Sequence, residues 1–598
     1  NIAKAVDGSA GAASLAVTGA TNLGANVITT GAQVYTGTIT LDDSGSFTLD
    51  STGNDATDDI TTAAIAGVNG GDAENLTLDA GPSGDITIGG AVSDITNLTI
   101  TDSNGVDFNS TVTLLGDLTF TDSSAGADIN FNGDISANDL VTTGNGYDVF
   151  ILEDATITAQ TLFLNTGTLQ IGNQGVGDAG PDESTFTGGL VAEDASAITL
   201  AGTINTTNTT MTLGDGDTGI TLAGSTTLSS GSGTINIAGA MAGAGDDDAL
   251  IINSTETTNI TAAISGITTL TTNAIGTTAV SANISSSGQQ TFNDAVTVDG
   301  TLDFTASQVE FNSTLQGADG TGDNLTISGI LDLNAAATNL TSLDVEGSSD
   351  LAANVTTSGT QEYTGASVMS GGAARTLTGS TVLFGTTVDG GAQNLTIDGI
   401  LNLNGALTNT TNFEVTGAST LAGDVTTTGT QIYTGDVTLS GAARTLTATN
   451  SSAVTFSSKI DGTQNLTVAT GGLTTFDGIV GGGTAVSAIA ITGTGGLDLD
   501  AAITSAASLA VTGDTNLGAN VTTSGDQTYT GAVTLSANNT YQSTANGDIL
   551  FSSTTDGAQT LATTTGGDTT YVGAIGGNTA ILSLTAVTAG FTAADIKS

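Results

Sequence analysis

Read for alternation, the chain is a succession of short runs in which Leu, Val or Ile alternates with Thr, Asn or Ser. Gly, Asn or Asp-Gly closes each run. DNLTISG, AQNLTIDG and DVTLSG are typical. Period-2 alternation over four to six residues, bounded by turn formers, is the pattern of a half-buried strand followed by a tight corner. No stretch carries the 3.6-residue periodicity of an amphipathic helix, and Thr, a poor helix former, is abundant.

The runs are organised into repeats. Residues 329–365 and 399–435 align without a gap at an offset of 70 residues. The element Gln-x-Tyr-Thr-Gly recurs at Gln33–Gly37, Gln361–Gly365, Gln431–Gly435 and Gln527–Gly531, with a Phe variant at Gln290 and Phe292. The triplet Asn-Leu-Thr at 324–326, 394–396 and 465–467 keeps the same spacing. Short strands at this spacing predict an all-β parallel β-helix, a β-solenoid, in which inward Val, Ile, Leu and Ala form ladders from coil to coil. At roughly 22 residues per coil, a repeat makes about three coils, the chain about 27, and with ~4.8 Å between strands an elongated rod on the order of 130 Å results. The expectation is one continuous solenoid over 1–598, with a regular unit at 1–40, diverged coils at 41–289 and regular repeats at 290–598. The texts at 14–37 and 508–531 nearly coincide.

Composition narrows the chemistry. His, Cys and Trp are absent, so there is no imidazole base, no thiol nucleophile and no Cys/His set for zinc or haem. A net charge of −54 from 59 acidic and 5 basic residues repels nucleic acid and anionic lipid. No run of about 18 apolar residues could span a bilayer. The chain opens on Asn1 without a charged-then-apolar leader, the expectation for a processed or excerpted chain.

Segments 427–482 and 567–577 resemble the β-strand repeats of large bacterial secreted surface proteins, the filamentous-haemagglutinin-like and autotransporter-passenger-like adhesins and related extracellular fibre proteins. The resemblance covers 1–40 and 290–598 well and 41–289 only in texture. It implies a right-handed parallel β-helix, export across the envelope, and adhesion, aggregation or matrix formation at the cell surface.

Candidate sites are few. Tyr35, Tyr363, Tyr433 and Tyr529 share one repeat position and read as a structural corner or ladder residue rather than an aromatic platform for sugars. Arg375 and Arg444 share another position, each expected to pair with a neighbouring acidic turn. Asp42-Asp43, Asp58-Asp59, Asp215 with Asp217, and Asp246, Asp247 and Asp248 are candidate Ca²⁺ ligands, although none forms an EF-hand loop or a GGxGxD repeat. The Asn-Leu-Thr triplets fit a glycosylation sequon, and their register favours a turn Asn instead. No segment breaks the repeat with a cluster of Asp, Glu, Tyr and Arg, so no catalytic residue and no cofactor other than Ca²⁺ is expected. The expected function is a non-enzymatic extracellular structural protein that self-assembles head-to-tail into a filament, sheath or matrix fibre. The alternatives are an adhesin shaft binding surface glycans or proteins and, third, a carbohydrate-active β-helix enzyme. Neither nucleic acid nor membrane insertion belongs to any of these readings.

Overall fold

The computed structural model describes residues 1–8, 14–42, 45–52, 57–68, 73–173, 181–245 and 248–597. Among them every regular element is a strand and none is a helix; the strands are stacked in about 27 parallel turns, a β-solenoid. The alternation seen in the sequence is the cause. In strands such as Gln431–Tyr433 and Leu497–Leu499, buried residues alternate with half-exposed ones, and the buried parity carries the large side chains. Each inward Leu, Ile or Val contributes about 1.5–3 kcal/mol when fully covered. The chain divides into two compact units, Asn1–Ser313 and Thr314–Ser598.

In unit 1 the interior is a column of aliphatic side chains punctuated by aromatics. Phe108 stacks on Phe131 with ring centroids 4.9 Å apart, and Phe120 meets Phe108 edge-on at 6.5 Å. Phe292, Phe304 and Phe311 form a cluster in which Phe292 lies 5.6 and 5.3 Å from the other two and these are 6.4 Å apart. The chain has few aromatic residues, but it spends them inside: all seven tyrosines, across the two units, are fully buried. The interior is therefore bulkier than a column of small aliphatic groups.

In unit 2 the stacking fixes the meaning of the 70-residue repeat. Leu343, Gln361, Val382, Leu401, Ser419 and Val437 lie over one another on one side. Leu395, Phe413, Gln431 and Val454 lie over one another on a second side. Leu509, Gln527 and Ile549 occupy the third. The repeat does not close a whole number of turns. Successive turns on the first side advance by only 18 to 21 residues rather than 22, so each copy of the motif comes round on a different side. Tyr363, Tyr433 and Tyr529 consequently enter the core from three directions and form no ladder with one another.

Candidate functional site

The repeated motif builds an internal clasp. The inward Gln431 side chain donates from Nε2 to the Val425 carbonyl at 3.4 Å, to Thr427 Oγ1 at 3.2 Å and to the Thr447 carbonyl of the next turn at 2.8 Å. Its Oε1 accepts from the Tyr433 hydroxyl at 3.1 Å, and Thr427 in turn donates to the Gly429 carbonyl at 2.7 Å. The same set recurs around Gln33 and Tyr35 (2.9 Å), Gln361 and Tyr363 (3.1 Å), and Gln527 and Tyr529 (3.2 Å). Burial pushes the phenols of Tyr35, Tyr363, Tyr433 and Tyr529 far above their usual value, so they stay neutral donors. None of the four is placed to meet a ligand at the surface. Each clasp joins two sides of one turn and ties them to the turn above, satisfying four or more polar groups inside an apolar column. The partner that the sequence reading passed over is the Gln. Its signal was present as Val-x-Thr-x-Gly-x-Gln-x-Tyr at 355–363, 425–433 and 521–529.

The Phe variant is a natural comparison. Gln290 keeps its donations to Ile284 and Thr305 carbonyls at 3.2 and 2.9 Å, but Phe292 offers no hydroxyl and Gln290 Oε1 is left buried without a partner.

Of the two arginines, Arg444 has the acidic neighbour expected of it and Arg375 corrects the expectation. Arg375 is buried and spends its guanidinium on backbone carbonyls, those of Leu351 (2.9 Å), Ala374 (3.0 Å) and Ser370 (2.5 Å), not on an acidic turn. It occupies the inward parity of its strand, so the side chain runs into the stack, and desolvation lowers its pKa. Arg444 is likewise turned inward, bonding the Ala442 and Ala422 carbonyls, with Asp424 3.8 Å from its Nη1. Both act as caps for carbonyls at a corner where the ladder is interrupted.

The acidic residues have structural uses in the described regions. Asp215 Oδ1 accepts from the backbone of Asp217 and Thr218, both at 3.0 Å, and from the Thr218 hydroxyl at 2.9 Å, contacts that hold its carboxyl below the usual range. Asp217 is exposed beside it. Asp248 is buried and accepts from Gly245 N at 2.6 Å; Asp246 and Asp247 lie outside the described residues. Among the described residues, no group of three or more acidic side chains converges as a metal cage would require. Elsewhere, Asp and Asn do one job interchangeably at the corners: the side-chain oxygen accepts a backbone N–H of the following turn. Asn97 takes Asp117 N at 2.7 Å, Asp424 takes Thr445 N at 2.9 Å, Asp514 takes Ala532 N at 2.8 Å and Asn465 takes Ala488 N at 3.1 Å. The first and last of these are sequon residues, engaged as turn asparagines.

No family model, curated protein or solved structure matches this chain.

Parallel stacking also sets like charges in register. Asp50, Asp79, Asp102 and Asp122 lie on successive turns of one side of unit 1. Burial, and then Asp50, raise the Asp79 pKa; burial, and then Asp122 and Asp79, raise that of Asp102. A carboxyl whose folded pKa is raised binds its proton more tightly folded than unfolded. Such a group costs stability above its folded pKa, and that cost disappears as pH falls toward the unfolded value of about 3.9. Unit 1 is therefore expected to melt at a higher temperature near pH 4.5 than at pH 7, the reverse of a salt-bridged carboxylate. Asp79→Asn should raise Tm at pH 7 and flatten the dependence; a Tm that falls steadily below pH 7 in both proteins would contradict this account. Calorimetry across that range is the measurement.

Two surface features stand apart from the internal clasps. A shallow trough of about 510 Å³ on unit 2 is lined by uncharged small side chains, among them Thr463, Ser487, Thr504, Thr522, Ser524 and Thr544. The last described turn of unit 2, strands Ser583–Val587 and Gly590–Ile596, leaves apolar residues open: Phe591 is 44% exposed, Ile596 48% and Leu582 69%. One turn earlier, Leu561, Tyr571 and Ile575 are fully buried.

Proposed function

We propose that the protein is a non-enzymatic structural element of the extracellular space or cell surface, whose copies associate end-on into a filament, sheath or matrix fibre. The observation that carries this reading is the repeated internal clasp, in which Gln33, Gln361, Gln431 and Gln527 each donate to a carbonyl of the following turn, so that the recurring polar positions are used to hold a stack together. The remainder of the chemistry is consistent with a load-bearing role. The repeated Gln, Tyr and Arg positions are consumed in tying turn to turn, and the corner carboxylates hold backbone donors. The formal net charge of −54 keeps the sides of such fibres apart. Sedimentation and negative-stain microscopy over a concentration series test the reading: particles should lengthen with concentration, and particles of one fixed length at every concentration would overturn it.

The trough on unit 2 favours a second reading, an adhesin shaft. A hydroxyl such as that of Thr504, which donates to the Val480 carbonyl at 3.1 Å, still has acceptor capacity for a neutral glycan. Under that reading the particle keeps one length and binds neutral oligosaccharide in a titration.

A further inference from the structure

The Phe variant of the clasp departs from the others at one more position. Gln33, Gln361, Gln431 and Gln527 each open an element that closes on glycine, at Gly37, Gly365, Gly435 and Gly531, whereas the element opened by Gln290 closes on Asp294. Where those glycines press against the backbone of the turn beneath, Asp294 turns its side chain inward and is only 3% exposed. We propose that Asp294 converts this clasp into a pH-sensitive latch, which holds its turn of unit 1 more tightly in acid than at neutral pH.

The carboxyl is a bridge. Gln290 lies over Leu270 and Val296 over Thr278, which puts Asp294 above the corner between the strands Leu270–Thr272 and Thr277–Val280. Its Oδ1 accepts from the Thr272 hydroxyl at 2.6 Å and its Oδ2 from the Thr278 hydroxyl at 2.8 Å, and both threonines are buried. Asn293 adds a second tie, donating from its backbone to Thr272 Oγ1 at 3.1 Å and from Nδ2 to the Thr272 carbonyl at 2.8 Å. The polar group that this clasp lacks at Phe292 is thus supplied two residues later, by a group that titrates.

Charge sets it apart from the full clasps, whose amides, phenols and hydroxyls stay neutral where carboxyls titrate. The strands around Asp294, Leu270–Thr272, Thr277–Val280, Gln289–Phe292 and Ala295–Val298, contain no charged residue. On the strand above, Thr301–Phe311, Asp303 and Glu310 take the outward parity, and Glu310 accepts from Gln289 Nε2 at 2.8 Å and from the Thr291 hydroxyl at 3.3 Å. Glu256 and Asp299, at neighbouring corners, are exposed. An ionised Asp294 is therefore buried on two hydroxyl donors with no countercharge, and desolvation raises its pKa. Opening of the turn hydrates the carboxyl and returns it to an ordinary value of about 3.9. Above the folded pKa, opening relieves a buried charge; as pH falls, the closed turn takes up the proton and that relief disappears.

Hydrogen exchange of the whole chain, read by mass spectrometry from pH 7 to about pH 4 and corrected for intrinsic rates, follows each turn separately. Peptides covering 268–298 should gain about tenfold in protection over that range, the scale of one stranded polar group. Peptides covering 521–531, where Gln527 is held by uncharged partners, should not. Asp294→Asn presents an oxygen to one threonine and an NH2 to the other without the charge. It should exchange at pH 7 as slowly as wild type does in acid and change no further. Asp79 and Asp102 lie on other turns, so Asp79→Asn should leave the response of 268–298 intact. Protection of 268–298 that stays level or falls in acid overturns the latch, as does a response that survives in Asp294→Asn or is shared equally by 521–531. Should Asp294→Asn fail to fold, the contrast between the two segments of the wild type decides the outcome.

Discussion

Replacing Gly435 by alanine is expected to destabilise unit 2 by about 3 kcal/mol, at the upper end of the range for overpacked sites. Gly435 closes the Gln-x-Tyr-Thr-Gly element, and a Cβ there would fall far inside contact distance of the Gly417 carbonyl oxygen. Gly417 stands in the same relation to Gly399, to whose carbonyl it also donates at 3.1 Å. The obstruction is backbone on both sides, so no side-chain rotamer can relieve it. Relief would require the turns to separate at a corner where their hydrogen bonds hold them together. The corresponding Gly365 and Gly531 face the backbone of Gly347 and Gly513 in the same way. Urea denaturation of the Gly435→Ala protein gives the value directly; a loss under 1 kcal/mol would show that the corner yields. An outward control on the same strand, Ile432→Thr, gives the half-exposed position the residue that Thr528 has in the corresponding strand and should cost little by comparison.

Much of the fold was legible in alternation such as the Leu-Asp-Leu of Leu497–Leu499, because a strand covered on one face only must place its apolar residues at every second position. The number of turns in a repeat was not legible. One strand runs on through the corners at Gly390-Gly391 and Asp398-Gly399 in Val388–Leu403, whose residues pair on all three sides of the stack, so Gly-closed runs mark corners and do not say how many of them make a turn. Spacing alone could not show that Tyr363 and Tyr433 lie on different sides. The direction of Arg375 was legible in principle, since it shares the parity of Leu377, but its charge argued for the surface and outweighed the pattern. What the sequence could not show was that the Leu351 and Ser370 carbonyls are placed to accept from an inward guanidinium, which makes that direction favourable there. The acidity has a related explanation. Asp and Asn serve equally as corner acceptors, so a corner of this stack can carry either residue.

The second large effect concerns the clasp. Gln431→Leu keeps the approximate volume and removes every polar contact of the side chain. It leaves the Tyr433 hydroxyl and the Thr427 hydroxyl lone pairs buried, and withdraws donors from the Val425 and Thr447 carbonyls. A buried polar group stranded in this way costs about 1–3 kcal/mol, so a loss of about 3–4 kcal/mol is expected for the single variant. Tyr433→Phe strands only Gln431 Oε1 and should cost about 1–2 kcal/mol. That smaller figure fits the chain's own use of the Phe arrangement at Gln290 and Phe292, where the orphaned Oε1 coexists with tight stacking on Phe304 and Phe311. The double variant Gln431→Leu with Tyr433→Phe should be less destabilised than the sum of the two, because the second change removes a group that the first had stranded. A double-mutant cycle measured by chemical denaturation isolates this coupling, expected at about 1 kcal/mol or more. Strict additivity would mean that the two side chains act separately and that the clasp is only a coincidence of neighbouring burial. Coupling of the expected sign would make the clasp a cooperative unit placed on each side of unit 2 in turn, which resists the twisting of one turn against the next from all three directions.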